Sequence, residues 1–406
     1  MTQEKALEIL KSGRNIFLTG IAGAGKTYTL IQFIEYCKEQ KIRFAVTAST
    51  GIVAAAIDGV TIHSFSALGV RDTLTISDLE RIKNNPDSSA RIKDIQVLII
   101  DEISMLSEVQ LDLIDRIFKH VRKDKNPFGG VQIVFCGDFL QLPPVRGNYA
   151  FQSEAWQDCE LAICYLDQAY RQKEGGLLDV LNAIRSNQVN DNIKAMVNAR
   201  VGKKLKDSTK LYTHNIDVDA YNQKELDKVK GKSQSFKMTT EGESKYTDAL
   251  KKSCLSPDNL ELKVGAKVIV TKNNFNEGLV NGTMGTVKKL NKQSVDIITL
   301  DGREVTLEPA KWSVTSKHGK PIASIYQIPL RLAYAITIHK SQGMTLDAAT
   351  MNLAKIFQTG QGYVALSRLR SLEFLSLEDT VSDYTFRISQ ECFEYEKKII
   401  QQSKLL

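Results

Sequence analysis

The 406-residue sequence has no Cys-x-x-Cys pair, no cluster of histidines, no long apolar run and no internal repeat. Its six cysteines, Cys37, Cys136, Cys159, Cys164, Cys254 and Cys392, stand apart, and the five histidines do not gather beside them. That disfavours structural zinc and a disulfide framework, and predicts reduced thiols in a cytosolic protein. No apolar stretch reaches the roughly 18–20 residues that a membrane span needs. The opening MTQEKALEILKSG carries charge and begins an amphipathic helix, unlike a signal peptide. A cytoplasmic location without a membrane partner is expected, close to the nucleoid if the source is bacterial. Low-complexity tracts are also missing, and 42% apolar with 25% charged residues argues against general disorder. The formal net charge of +7 leaves room for a polyanionic partner without requiring one.

What is present is an alternation of short apolar strands and helical patterns. Strands are predicted at Asn15–Thr19, Arg43–Ala48, Gln96–Asp101 and Gly130–Cys136, with helices at Lys26–Glu39 and Ser107–Val121. QVLIID and GVQIVFC read as strands covered on both faces, and the rhythm argues an α/β fold with a parallel sheet. Ser66–Lys93 is polar and lacks a buried strand, so it reads as an insertion at the sheet's edge. A second α/β region begins near Gly175, with a strand at Lys210–Thr213 and a helix at Val218–Lys228. Lys230–Ser253 reads as a loop or linker. Val264–Val314 carries short strands with Gly and Asn-Gly turn signals, which suggests a small β-barrel or a β-rich insertion. Strands near Ala333–Ile338, Ala349–Leu353 and Phe374–Leu377 and a last helix at about Asp383–Gln402 resume the α/β pattern. The expected division is 1–174, then 175–245 with 316–406, interrupted by a β-rich insertion at 246–315.

GIAGAGKT, Gly20–Thr27, matches G-x-x-x-x-G-K-[ST] between a strand and a helix. Glycines let the backbone approach phosphate, and exposed amides donate to its oxygens. Gly20, Ala22, Gly23, Ala24, Gly25, Lys26, Thr27 and Tyr28 are the expected ATP contacts. Lys26 can reach the β- and γ-phosphates, and Thr27 can bind Mg2+. In IIDEISM, Asp101 ends a buried strand, where magnesium coordination would justify a carboxylate. Glu102 can orient or deprotonate the attacking water. The plainer possibility is an acid pair capping the next helix. GDFLQLPPV, Gly137–Val145, follows another buried strand, so Gln141 would lie over the nucleotide crevice and sense the γ-phosphate. Asp138 would support the metal shell or the loop.

With GIAGAGKT, TASTGIVAAAIDGVTIHSF, IIDEISM, GDFLQLPPV, YRQ, ITIHKSQGMTLD and GYVALSR in this order, the chain resembles superfamily one helicases. Glu102–Arg122 makes it most similar to the petite integration frequency (PIF) family of 5′-to-3′ DNA helicases. The resemblance implies two RecA-like domains, the small barrel in the second, ATP and Mg2+, and single-stranded DNA or its junction with duplex as partner, bound by a monomer. It implies work in replication, recombination, repair or telomere maintenance. It gives Gln3 the adenine edge, Arg171 and Arg368 the γ-phosphate from across the cleft, and Gly343 a place by the nucleotide. Arginine at such a position stabilises charge on the transferring phosphoryl; the alternative for either is a surface salt bridge. The implied DNA track holds Thr47, Ser49, Thr50, His63, Ser64, Phe65 and Pro143, with Pro144 beside it, on one side. Thr337, His339, Lys340 and Ser341 lie on the other. By residue type alone, Thr- and Ser-rich strand ends are more often capped turns. The Ser66–Lys93 segment falls where the family places its duplex-separating wedge.

Three other functions share part of this pattern. A motor subunit of a recombination nuclease complex has similar motifs, but no nuclease-like carboxylate cluster is visible. An ATP-switched DNA-binding or loading protein would not need both arginines. A small-molecule P-loop kinase would not need TIHSF, HKSQG or the β-rich insertion.

Overall fold

The computed structural model describes residues 1–50, 54, 59–69, 71–172, 175–205, 208–213, 218–272, 274, 279, 281–315 and 321–406. The expected boundaries at 174 and 316 fall outside them.

Six parallel strands form the first sheet in the order β3-β2-β4-β5-β1-β6. They are β1 (Ile16–Gly20), β2 (Phe44–Ala48), β3 (Val60–Thr61), β4 (Val97–Asp101), β5 (Gln132–Cys136) and β6 (Ala162–Leu166). β1, β4 and β6 are buried at every residue, which is why they read as unbroken apolar runs. Two helices lead to the site: α1 (Gln3–Lys11), capped by Thr2, and α2 (Lys26–Glu39), which starts at Gly25. A Ser107–Gln110 capping box opens the helix Glu108–Arg122, whose Leu111, Ile114, Ile117, Phe118 and Val121 face the core.

The segment expected at the sheet's edge is two short helices, Ile76–Asn84 and Pro86–Asp94. Asn85 ends the first and caps the second, with Pro86 in its first turn. Leu79, Ile82 and Ile92 are buried in the main core, and Arg122 Nη1 donates to Ile92 O at 2.9 Å. The segment is thus anchored in the core, which its polar composition concealed.

The second parallel sheet runs β18-β7-β19-β20, from β7 (Thr209–Tyr212), β18 (Ala335–Thr337), β19 (Ala349–Met351) and β20 (Leu375–Leu377). Between β7 and β18 the described strands pair antiparallel. A five-stranded sheet runs β14-β13-β12-β11-β17, from β11 (Lys267–Val270), β12 (Met284–Leu290), β13 (Val295–Thr299), β14 (Glu304–Leu307) and β17 (Leu330–Leu332). Among the described residues no pairing joins β14 to β17, so the β-rich insertion expected from the sequence is present without a pairing that closes it into a barrel. Lys230–Ser253, expected as a loop, holds β8 (Gln234–Lys237), β9 (Thr239–Gly242) and a helix, Ser244–Ser253. β8 pairs with β10 (Asn259–Leu262), and β9 pairs with β16 (Pro321–Gln327), itself beside β15 (Ala310–Thr315). All four residues of β9 are exposed, so long-range pairing defines the strand without an apolar signal.

The last helix, Gln390–Ser403, begins later than predicted and packs on the first sheet. Tyr395 stacks on Phe151 at 4.1 Å and accepts from Trp156 Nε1 at 3.0 Å; Ser403 Oγ accepts from Tyr165 N at 3.1 Å. This places the end of the 316–406 segment against the first α/β unit. Among the described residues no helix is long and apolar enough to cross a membrane.

Candidate nucleotide cleft and nucleic-acid track

A cleft of about 940 Å³ lies between the two parallel sheets. One wall is the loop after β1 and the start of α2. Gly23 (φ 80°) and Gly25 (φ 82°) lie in the left-handed region. A Cβ on Gly23 would stand 2.5 Å from Gln172 Oε1, and one on Gly25 would stand 2.0 Å from Gln3 Nε2. The left-handed backbone favours glycine at both positions, and at Gly23 the Arg171 Cβ, 2.7 Å from such an atom, leaves no room for a side chain. Gln3 Nε2 donates to Ala24 O at 2.9 Å, which clamps α1 onto the loop. Lys26 Nζ donates to Gly20 O at 2.9 Å and Ile21 O at 3.1 Å, and burial lowers its pKa. Thr27 lines the cleft. The exposed ring of Tyr28 lies outside the wall, its hydroxyl accepting from Gln32 Nε2.

The acid pair ends β4. Asp101 is buried and its Oδ1 accepts from Glu102 N at 2.9 Å. Glu102 adopts a left-handed backbone (φ 49°, ψ 49°), a costly conformation for a non-glycine residue. Ser49 Oγ helps hold it by donating to Glu102 O at 2.8 Å. Glu102 Oε2 accepts from Gln342 Nε2 at 3.0 Å. Burial first, and the Asp101 charge second, push the Glu102 pKa up to about 7, a value suited to a base near neutral pH. Gln141 lines the cleft, its Nε2 donating to Asp138 Oδ2 at 3.3 Å.

The opposite wall carries Gly343, Thr345, Arg368 and Arg370. Arg368 is 2% exposed; its Nε donates to Val364 O at 2.9 Å and its Nη2 to Ser367 Oγ at 2.8 Å. Arg171 Nη1 donates to Ser367 O at 2.9 Å. Burial, then repulsion from Arg368 and Arg370, lowers the Arg171 pKa to about 9. An anion placed between these guanidinium groups would relieve that repulsion. The side-chain oxygens of Gln141, Gln172 and Gln342, all buried beside this cleft, have no hydrogen-bond partner. Buried polar atoms without partners are rare, and three around one cleft mark a place built for a polar ligand. For magnesium, the donors at hand are the Thr27 hydroxyl and the Asp101 carboxylate. These are hard oxygens, as that ion requires, and phosphate and water can complete its shell.

The residues expected to touch DNA divide into two groups. Ser64 is exposed, and Ser49, Thr50, His63, Pro143, His339 and Lys340 are half-buried. Burial lowers the pKa values of His63 and Lys340. The others are buried and make contacts of their own. Thr47 is wholly buried, its hydroxyl donating to Ile99 O at 2.6 Å. Phe65 is 9% exposed and stacks on Phe118, with Arg91 over its ring. Thr337 caps the turn after β18 through Lys340 N at 3.2 Å, and Ser341 Oγ donates to Ile338 O at 2.8 Å. Pro144 is buried as well.

Gln342, Gln172, Arg185 and Tyr363 escaped the sequence reading. Gln342 and Gln172 stand inside HKSQG and YRQ, so both were within reach of it. Arg185 lies in an amphipathic helix with nothing local to single it out.

A family model described as PIF1-like helicase matches residues 2–208, and one described as DNA helicase Pif1, 2B domain, matches 245–290. The ATP-dependent DNA helicase Pif1 of Psychrobacter sp. (strain PRwf-1) is 42% identical, covering 93% of this chain and 67% of its own length. The ATP-dependent DNA helicase PIF1 of Xenopus laevis is 35% identical over 93% of this chain. The chain spans 61% of that relative's length. Bacteroides sp Pif1 in complex with ADP-AlF4 superposes with a TM-score of 0.86 at 30% identity, covering 98% of this chain and 96% of that one. Bacteroides Pif1 bound to ssDNA gives a TM-score of 0.66 at 28% identity, covering 99% and 97%.

Proposed function

This chain belongs to the PIF1-like helicase family, a family of ATP-dependent DNA helicases, and from that membership we propose that it moves 5′ to 3′ along single-stranded DNA and parts the duplex ahead. The observation that carries the reading is the cleft itself: a phosphate-binding loop and an acid pair on one wall, buried arginines on the other. Hydrolysis that needs both walls is coupled to their relative motion, and such motion can ratchet a bound strand.

Lys26 leaves its backbone acceptors for the β- and γ-phosphates, and the loop amides donate to the same oxygens. Thr27 and Asp101 would hold magnesium, which neutralises phosphate charge when bound. Glu102 takes the proton of the attacking water, Gln141 orients that water against the γ-phosphate, and Arg171 and Arg368 stabilise the charge that develops. His63, Ser64, His339 and Lys340 contact the strand, with phosphate contacts setting position and not sequence. The helices Ile76–Asn84 and Pro86–Asp94 meet the duplex at the junction. The protein acts as a monomer.

Direction rests on family resemblance, since nothing in the cleft distinguishes one polarity from the other. Strand displacement on duplexes with 5′ or 3′ tails of equal length tests it. Unwinding of 5′-tailed duplex, with little of 3′-tailed or blunt duplex, is expected; efficient opening of the 3′-tailed substrate would reverse the assigned polarity.

A further inference from the structure

Next to the cleft lies a buried charged cluster that the chemistry above does not use. Arg185, at the end of the helix Leu177–Arg185, is 6% exposed. Its Nη1 donates to Asp138 Oδ2 at 2.6 Å and to Tyr363 Oη at 2.7 Å. Its Nη2 donates to Glu396 on the last helix, whose carboxylate also accepts from Tyr165 Oη at 2.9 Å. Burial works against the charged guanidinium, but Asp138 and Glu396 more than offset it, so Arg185 stays charged.

Two lines lead from this guanidinium into the cleft. Tyr363 Oη also accepts from Ala22 N, an amide of the phosphate loop, at 3.2 Å. Asp138 Oδ2 also accepts from Gln141 Nε2 at 3.3 Å. One side chain thereby fixes both the loop and the glutamine assigned to the γ-phosphate. The Ala22–Tyr363 bond crosses from the first α/β unit to the helix Gln361–Ser367 that carries Arg368 at its end. Stability alone is a weak reason for such a cluster, since buried ion pairs are often replaceable by apolar packing at no loss.

We propose that Arg185 and Tyr363 are positioning residues for ATP hydrolysis, setting the phosphate loop and Gln141 in register with the docked arginine wall. The proposal rests on the reading of the cleft as the ATP site and of Gln141 as facing the γ-phosphate. Tyr363→Phe deletes the oxygen that joins Ala22 of the loop to Arg185. Tyr165→Phe is the matched control. It deletes a hydroxyl from the same cluster whose hydrogen bonds reach Glu396 and Arg185 but neither Ala22 nor Asp138.

Melting temperature, kcat and KM for ATP are measured for both at saturating single-stranded DNA. Similar losses of melting temperature are expected. Tyr363→Phe should lower kcat on the order of 10- to 10²-fold, the scale of a small misplacement, with KM changed by less than about threefold. Tyr165→Phe should keep kcat within about twofold. Should Tyr363→Phe fail to fold, Arg185→Lys keeps the charge but not the fork that reaches Asp138 and Tyr363 together, and the same loss of kcat is expected. Wild-type kcat in Tyr363→Phe or Arg185→Lys, or equal losses in Tyr363→Phe and Tyr165→Phe, would overturn the proposal. Wild-type protein without any ATP hydrolysis would overturn the ATP reading along with it.

Discussion

The candidate nucleotide cleft and the proposed DNA track are built from similar short motifs, yet they differ in how available their residues are. In the cleft, Gly23, Gly25, Thr27, Glu102, Gln141, Arg171, Gly343 and Arg368 all line one volume. Along the track, Thr47, Phe65, Thr337 and Ser341 are buried in contacts of their own. A phosphate site made of glycine and backbone amides leaves a hollow that only a ligand fills. Small hydroxyls on strand ends are equally good at capping the turn they sit in. A motif on the track therefore mixes residues that could touch DNA with residues that hold the touching ones in place.

The contrast predicts loss of chemistry in the cleft without loss of strand binding. Lys26→Ala should reduce ATP turnover by about 10³-fold or more, while Glu102→Gln should bind ATP and retain single-strand affinity. Near-normal turnover in both would remove the assigned roles.

The raised Glu102 pKa sharpens this. Its carboxylate must be ionised to accept a proton, so kcat/KM should rise with pH and level off above about 7, in a steady-state pH profile. The same shift has a stability consequence. Because the folded pKa stands above its ordinary 4.5, the group favours folding below 4.5 and that contribution is lost as pH rises through about 7. Glu102→Gln should therefore gain melting temperature over wild type at pH 8 more than at pH 5. An equal change at both pH values would contradict the buried-carboxyl account.

Smaller effects should divide the track itself. Lys340→Ala should weaken single-strand binding and flatten its salt dependence by about 0.7 in log–log slope, one phosphate's share. His339→Ala should weaken binding too, with basal hydrolysis spared in both. Thr47→Val and Ser341→Ala should leave that slope unchanged and cost about 1–2 kcal/mol of unfolding free energy instead. A flatter slope in the second pair would place those hydroxyls on DNA after all.

How much was legible follows the same division. α2 and the helix Val218–Lys228 lie where apolar spacing and the P-loop put them. The walls of the cleft were legible because each wall is a compact motif. Arg185 was not, since what matters is its convergence with Asp138, Tyr363 and Glu396, up to 211 positions apart. β8 and β9 were hidden for a related reason: their partners, β10 and β16, lie downstream, and their own residues are mostly exposed. The last helix shows its apolar face in sequence, but not which sheet that face meets.

On the proposed coupling, turnover needs both walls of the cleft while ATP binding depends mainly on one. Arg368→Ala tests it through two quantities measured on the same protein, the Kd for ATP and the single-strand-stimulated kcat. A Kd within about threefold of wild type and a kcat lower on the order of 10³-fold, the scale of an arginine finger, are expected. A weakened Kd with kcat preserved would contradict it, making Arg368 a binding residue and removing the link between hydrolysis and closure of the two walls.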